Sequence, residues 1–324
     1  MKTIRGKFSI TSYPVKLDSS LIQRKPYDID TDKDYYNLDR NELKEKVLKS
    51  GIYTPEQIKT IESIGCRKVV GNILCVSPFS SYRYNVSILF SKEILKAVKA
   101  ITVAFAADSA EFLVPENNKK QNRIYKRLIE RSPNVFYRPV KDRYPLGFLQ
   151  VMSKRLYDFK ENDYYFPGKE GILIVPLEKL LRLYMQIKKT NRYRRKPLAI
   201  ISDDEKIMIW GNDNTKTSKV LTNSFGDSLK NRIVIKGDPL WGSLIQDYEN
   251  ENLDDCCILF VVDKTELFFD RCISCGRCIE ICPVKIKYPY SMNTLDINRE
   301  ITCFDNISCV GCGLCSYFCP AWKR

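Results

Sequence analysis

Eight of the 13 cysteines fall in two copies of one pattern near the C-terminus, and this repeat constrains the fold more than any other feature. The copies are Cys272-x2-Cys275-x2-Cys278-x3-Cys282-Pro283 and Cys309-x2-Cys312-x2-Cys315-x3-Cys319-Pro320. Three thiols at two-residue intervals wrap a short loop around one shared centre, and the fourth lies beyond that loop. The spacing therefore predicts two groups of thiols, each around a bound centre.

Disulfides, zinc sites and iron–sulfur clusters can each explain grouped cysteines. Disulfides need an oxidising compartment, and residues 1–7 lack the apolar core of a secretory signal, so we expect reduced thiols and a cytoplasmic location. Zinc ligand pairs are usually separated by longer loops. The repeat resembles instead the C-x2-C-x2-C-x3-C-P run of bacterial two-cluster ferredoxins.

In that run the fourth cysteine of each copy reaches across to the other cluster. The expected ligands of one 4Fe–4S cluster are Cys272, Cys275, Cys278 and Cys319. Those of the other are Cys309, Cys312, Cys315 and Cys282. Gly276 and Gly313 follow the second cysteine of each copy, where a residue without Cβ lets the backbone pass close to the sulfurs. The sequence predicts a C-terminal ferredoxin-like domain with two clusters.

The net charge of the chain limits the kinds of partner that we expect it to bind. The chain has 53 Lys and Arg against 39 Asp and Glu, a net charge of +14, and no histidine. Two clusters with their thiolates would leave about +10, which suits an acidic redox partner or an anionic membrane surface. The absence of histidine excludes His-based triads and the usual neutral-pH general base. Only residues 192–196 form a compact basic run, so nucleic-acid binding is not expected.

Helix and strand patterns alternate before the repeat. We predict helices at residues 39–48, 54–65, 92–100, 119–130, 146–156 and after 176, and strands at 69–76, 101–106, 135–137 and 171–175. Thr54-Pro55-Glu56-Gln57 is a capping box with Pro at the first helical position. Strands separated by helices predict an α/β fold with a mostly parallel sheet and flanking helices. Short strands at 198–202, 206–210, 232–236 and 258–262 predict a small β-rich module after it.

This order resembles the RnfC family of the Rnf electron-transport complex, which is related to the flavin- and NADH-binding subunit of respiratory complex I and to cobalamin-reductase-like proteins of propanediol utilisation. The Cys-Ser-Tyr-Phe-Cys-Pro ending at 315–320 carries the resemblance most specifically. Upstream, Tyr144-Pro145-Leu146-Gly147 is similar to a Tyr-Pro-x-Gly segment of that family, and residues 236–242 are similar to its Gly-Gly-Pro-Met-x-Gly turn. The resemblance implies a location peripheral to a membrane complex.

On this basis we divide the chain into four parts. They are an N-terminal extension (1–50), an α/β domain of degenerate flavin- or dinucleotide-binding type (51–196), the β-rich module (197–262) and the ferredoxin-type domain (263–324).

The chain departs from the resemblance at the flavin site. The family binds the FMN phosphate with a glycine-dense loop, where residues 51–57 here have one glycine and a helix cap. The family's acidic turn corresponds to residues 76–84, which contain no carboxylate. We therefore expect two 4Fe–4S clusters without FMN or NAD(H).

Three functions stay open from the sequence. The first is a one-electron carrier that relays electrons through two clusters between partner redox proteins and has no catalytic residue of its own. The second is an FMN-dependent reductase, linked to NADH or ferredoxin, with a divergent flavin site. The third is a cluster protein with a structural or sensing role. The other cysteines, at positions 66, 75, 256, 257 and 303, are interpreted as structural thiols.

Overall fold

The computed structural model describes residues 16–17, 38–159, 170–188, 195–202, 206–226, 229, 232–245, 247, 249–263, 273–285 and 309–320. Cys272 and Cys303 lie outside these ranges.

Ten helices are described. They are α1 (Arg40–Lys49), α2 (Pro55–Ile64), α3 (Tyr82–Leu89), α4 (Ser91–Ala104), α5 (Lys119–Ile129), α6 (Leu149–Tyr157), α7 (Leu177–Ile187), α8 (Thr217–Phe225), α9 (Arg277–Glu280) and α10 (Leu314–Phe318). Helices α1 and α2 both begin with a capping box, at Asp39 and Thr54. These caps satisfy backbone N–H groups that have no partner within the helix.

Ten strands form two sheets. They are β1 (Lys16–Leu17), β2 (Lys68–Asn72), β3 (Ser109–Pro115), β4 (Val135–Val140), β5 (Ile172–Pro176), β6 (Arg195–Ser202), β7 (Lys206–Asn212), β8 (Arg232–Lys236), β9 (Ser243–Ile245) and β10 (Ile258–Asp263).

The first sheet is parallel throughout and has the order β4-β3-β2-β5. Because β3 and β5 lie on opposite sides of β2, the chain changes direction across the sheet between β2 and β5. In such doubly wound sheets, ligand sites lie at the carboxyl ends of the strands where this change occurs.

The second sheet is mixed and has the order β1-β7-β6-β10-β8-β9. Strand β10 pairs parallel with β6 and antiparallel with β8. One face packs on α8 through Leu198, Val220 and Leu259. Residues of the other face, such as Ile201 and Phe260, join the main core.

A layer of helices separates the two sheets. Helices α4 and α7 are buried on most sides, because one side packs on the parallel sheet and the other on the mixed sheet. Phe90 contacts Trp210 of β7 at 5.7 Å between ring centroids, and the Tyr82 hydroxyl donates to the Pro197 carbonyl at 3.1 Å. Helix α1 also packs on α4 and α7 through buried Leu43 and Val47.

The predicted α/β class with a parallel sheet and flanking helices is confirmed. The predicted strand at 101–106 is wrong, because α4 continues to Ala104 and the strand β3 begins at Ser109. Ile94, Ala97, Val98 and Ile101 form one buried helical stripe, so packing overrides the strand preference of the β-branched residues. The sequence patterns also did not predict α3.

Candidate metal centre

Four of the predicted ligands lie within electrostatic range of one another around Cys312. The pKa of the Cys312 thiol is raised to about 12, first by burial and then by the charges of three neighbouring thiols. These belong to Cys315, Cys282 and Cys309. Cys282 comes from the other copy, and the crossed ligand assignment stays a prediction from the spacing.

The first copy is described from residue 273 onward. Cys275 is exposed, Cys278 is buried and Cys319 is half-buried, whereas Cys272 is outside the described residues. Helix α9 of this copy packs against α10 of the second.

Two glycines shape the loops that carry the thiols. Gly276 and Gly313 have φ of 73° and 71°, and each is followed directly by a short helix. Few other residues adopt this left-handed conformation without strain. The left-handed φ thus favours glycine at both positions, but the expected crowding is found only at Gly313, since a Cβ on Gly276 would meet no described atom within 4 Å.

Four thiols per group are the donor set of a 4Fe–4S cluster. In the described part of the chain, no three His, Cys, Asp or Glu side chains lie close enough to hold a single metal ion. The indication of two clusters therefore comes from the cysteine spacing.

Residues of both cysteine copies contact the α/β body. Cys282, Val284 and Val310 pack with Leu146, Met152 and Ile174 on the face of the parallel sheet that α6 covers. The Tyr144 hydroxyl donates a hydrogen bond to the carbonyl of Cys312. A Cβ on Gly313 would lie 2.0 Å from the carbonyl oxygen of Leu240, so this loop touches the 237–242 turn.

The 237–242 turn is in turn bound to the segment after β2. Asp238 is fully buried and accepts hydrogen bonds from the Ser77 hydroxyl and, at 2.9 Å, from the Leu240 N–H. Burial raises the pKa of Asp238 to about 6 despite these hydrogen bonds. The Trp241 indole N–H donates to the Val76 carbonyl at 2.9 Å.

The segment after β2 is also tied to residues 142–147. The Asn72 amide donates to the Gly147 carbonyl at 2.8 Å, and the Cys75 N–H donates to the Asp142 carboxylate at 3.3 Å. A Cβ on Gly147 would lie 2.2 Å from the Cys75 carbonyl oxygen, so glycine is required for this approach. Three segments singled out in the sequence, 75–84, 144–147 and 236–242, thus meet beside the second cysteine copy.

An ion pair occupies the place between the carboxyl ends of β2 and β5. The Arg83 guanidinium donates two hydrogen bonds to the Glu178 carboxylate, both of 2.8 Å, and a third of 2.9 Å to the Leu74 carbonyl. Arg83 is 6% exposed. Nearby, buried Tyr53 stands in the segment where a glycine-dense loop would lie, and its hydroxyl donates to the Ile174 carbonyl of β5 at 3.4 Å.

Sequence patterns alone did not predict these contacts. The segment 76–84 has no carboxylate of its own, but Glu178 follows β5 directly and lies at the same edge of the sheet as Arg83. The convergence of parallel strand ends was the signal that could have paired them.

Burial also shifts the pKa values of the remaining described thiols. Burial raises the pKa of Cys66 to about 11 and those of Cys75 and Cys257 to about 12, and it also raises that of Cys256.

Residues 271–322 match the family model of the 4Fe-4S dicluster domain. The match covers both cysteine copies and confirms a C-terminal 4Fe–4S ferredoxin-like domain. Together with the fold, it supports an iron–sulfur electron-transfer role of the kind found in oxidoreductase subunits. No curated protein matches the chain.

The fold is similar to that of chains from an NAD+-reducing [NiFe]-hydrogenase. The H2-reduced structure matches with a TM-score of 0.53 and 11% identity, over 71% of this chain and 48% of the hydrogenase chain. The air-oxidized structure matches with a TM-score of 0.51 and 11% identity, over 69% and 47%. The chain thus spans about half the length of the hydrogenase chains that it matches, and at this identity the similarity concerns the fold.

The longest helix in the described ranges is α4, with 14 residues. None of the described helices is both long and apolar enough to span a bilayer.

Proposed function

We propose that this protein is an electron-transfer subunit that relays single electrons through two 4Fe–4S clusters between partner redox proteins. The family match over residues 271–322, which includes all eight cysteines of the repeat, is the observation that carries the proposal. When bound, such clusters supply reversible one-electron oxidation and reduction. The α/β body needs no catalytic residue for this role, because the protein supplies position, burial and potential.

The proposed ligands follow the crossed assignment. One cluster would be held by Cys272, Cys275, Cys278 and Cys319, and the other by Cys309, Cys312, Cys315 and Cys282. The neighbourhood of Cys312, Cys315, Cys282 and Cys309 supports the second set. The contacts of Tyr144 and Leu240 with this loop would hold its backbone in place and exclude water from one side of the cluster.

The ion pair at the carboxyl ends of the parallel strands β2 and β5 supports a relay without flavin. Arg83 and Glu178 occupy the position between β2 and β5 where a doubly wound sheet usually binds its nucleotide. Tyr53 fills the segment where glycines would expose backbone N–H groups to a phosphate. We infer that the chain is a divergent relative of the RnfC family whose flavin site has been replaced by packed side chains.

The proposed organisation keeps four parts: an extension (1–50), an α/β body (51–196), a β-rich module (197–262) and the two-cluster domain (263–324). The proposed donor and acceptor are redox proteins, acidic where they dock, since the chain carries a net charge of +14. The proposed location is the cytoplasm, with peripheral attachment to a membrane complex.

An anaerobic absorption spectrum, combined with iron, sulfide and released-flavin assays, tests this function. We expect about eight irons per chain and no flavin. About eight irons with one FMN would refute the relay in favour of a flavin-dependent reductase. Clusters that cannot be reduced and reoxidised would favour a structural or sensing role.

Replacing one ligand in each set tests the assignment. Cys275→Ser and Cys312→Ser should each reduce the iron content from about eight to about four per chain, because each removes a ligand of a different cluster. Cys256→Ser is the matched control and should retain all iron, since Cys256 is buried in the β-rich module. Full iron in both ligand variants would show that the assignment is wrong.

A further inference from the structure

The outer face of α5 carries a dense cluster of cationic side chains. Between residues 119 and 131 there are six cationic residues and one carboxylate, a net charge of +5 within 13 residues. The cationic residues within the helix are Lys119, Lys120, Arg123, Lys126 and Arg127, and Arg131 follows its end. They recur at the spacing of one helical face, and all six are exposed.

The inner face of the same helix is fixed in the core. The Tyr125 hydroxyl donates to the Ser87 carbonyl at 3.1 Å, and its ring packs on Phe112 at 5.1 Å between centroids. The Gln121 amide donates to the Ser87 hydroxyl at 2.6 Å. Because its apolar side is already buried, α5 cannot rotate to insert that side into a bilayer.

The basic face has no counterion within the described part of the protein. Among the described residues, none of these six cations forms a side-chain ion pair, whereas Arg182, Lys196 and Lys236 elsewhere each pair with an aspartate. An anionic partner would therefore bind this face without first breaking an internal ion pair.

We propose that this face attaches the protein to an anionic lipid surface. Clusters of four to eight Lys and Arg residues on one helix face favour binding to acidic phospholipids, and flat lipid surfaces need no shaped groove. A specific protein interface usually has a core depleted in charge and enriched in aromatic residues. The exposed positions of α5 have no such core, since its one aromatic residue, Tyr125, is buried. The inference stands independently of the proposed electron relay.

Vesicle sedimentation of the iron-loaded full chain tests it. We expect binding to phosphatidylcholine vesicles that contain about one-third phosphatidylserine, and none to phosphatidylcholine alone. Binding should weaken strongly between about 0.1 M and 0.5 M salt, because the charges are exposed and screened.

Two variants of equal charge separate this face from the overall basicity. The triple variant Lys120→Gln/Arg123→Gln/Arg127→Gln should bind about 100-fold more weakly, at about fivefold per charge removed. The control Lys49→Gln/Lys59→Gln/Lys219→Gln removes three exposed charges elsewhere and should bind within about fivefold of the wild type. Unchanged iron content and circular dichroism establish that both variants are folded.

Equal losses in both triple variants would overturn the proposal, as would binding to neutral vesicles or no binding to anionic ones. Retention by a short DNA duplex without retention by anionic vesicles would also overturn it and indicate a nucleic-acid partner.

Discussion

Alanine at the two loop glycines tests whether the second cysteine copy rests on the body through the 237–242 turn. Gly276 and Gly313 occupy equivalent positions in the two copies and have nearly the same φ, 73° and 71°. A Cβ on Gly276 would meet no atom of the described residues within 4 Å, whereas one on Gly313 would lie 2.0 Å from the Leu240 carbonyl oxygen. The two variants therefore share one backbone strain and differ in one contact.

The magnitudes follow from these distances. An alanine in the left-handed region costs about 1–2 kcal/mol at either position. At Gly313 the loop must also move by about 1 Å to relieve the clash, which costs about 1–3 kcal/mol as overpacking does elsewhere. The same movement would break the hydrogen bond from Tyr144 to Cys312, for about 1 kcal/mol more. The expected totals are about 1–2 kcal/mol for Gly276→Ala and about 3–6 kcal/mol for Gly313→Ala.

Anaerobic guanidinium unfolding, followed by circular dichroism and by iron content, measures the difference. Gly276→Ala should keep about eight irons with a small shift of the midpoint, and Gly313→Ala should keep about four with a large shift. Equal shifts and equal iron contents would refute the reasoning, since the contact with Leu240 would then contribute nothing.

Three further perturbations probe the buried polar groups. Burial raises the pKa of Asp238 to about 6, so the contribution of this carboxyl to stability is complete below about pH 4 and is lost as the pH rises through 6. Asp238→Asn should remove this pH dependence and increase the free energy of unfolding by up to about 3 kcal/mol at about pH 8. Unfolding measured at both pH values tests this. Arg83→Met should destabilise the fold by about 3–5 kcal/mol because it leaves the Glu178 carboxylate without its partner, and adding Glu178→Gln should restore part of the loss in a double-mutant cycle. Tyr144→Phe removes a donor near the Cys312 loop and should lower the reduction potential of that cluster, as followed by electron paramagnetic resonance in a redox titration; an unchanged potential would show that the hydroxyl acts only on packing.

Local sequence signals predicted elements where capping and periodicity agree. The capping box at Thr54 marks the start of α2, and the leucines of α7 follow the helical spacing that the core requires. The prediction of a strand at 101–106 was wrong because Ile101 and Val103 favour a strand locally, while the buried stripe of α4 extends through Ile101 to Ala104.

For the candidate site, too, local sequence signals and tertiary contacts carry different information. Cysteine spacing predicts two groups of thiols with one ligand exchanged between the copies, and this grouping stays a prediction. The surroundings of the site could not be predicted from spacing, since Tyr144 and Leu240 reach it from two distant parts of the chain. Only the tertiary fold brings these residues into one place.

The position of the ion pair connects the fold with the proposed function. In a doubly wound sheet the gap between the two strands where the chain reverses direction is open because consecutive crossover helices lie on opposite faces. Here that gap between β2 and β5 contains a bidentate pair of Arg83 with Glu178, with Arg83 also bound to the Leu74 carbonyl. A phosphate ligand would have to displace Glu178 from Arg83, and the displaced carboxylate would then face the same phosphate. Such an arrangement would oppose an anionic cofactor at this position, and this is the physical basis for proposing a relay without a bound nucleotide.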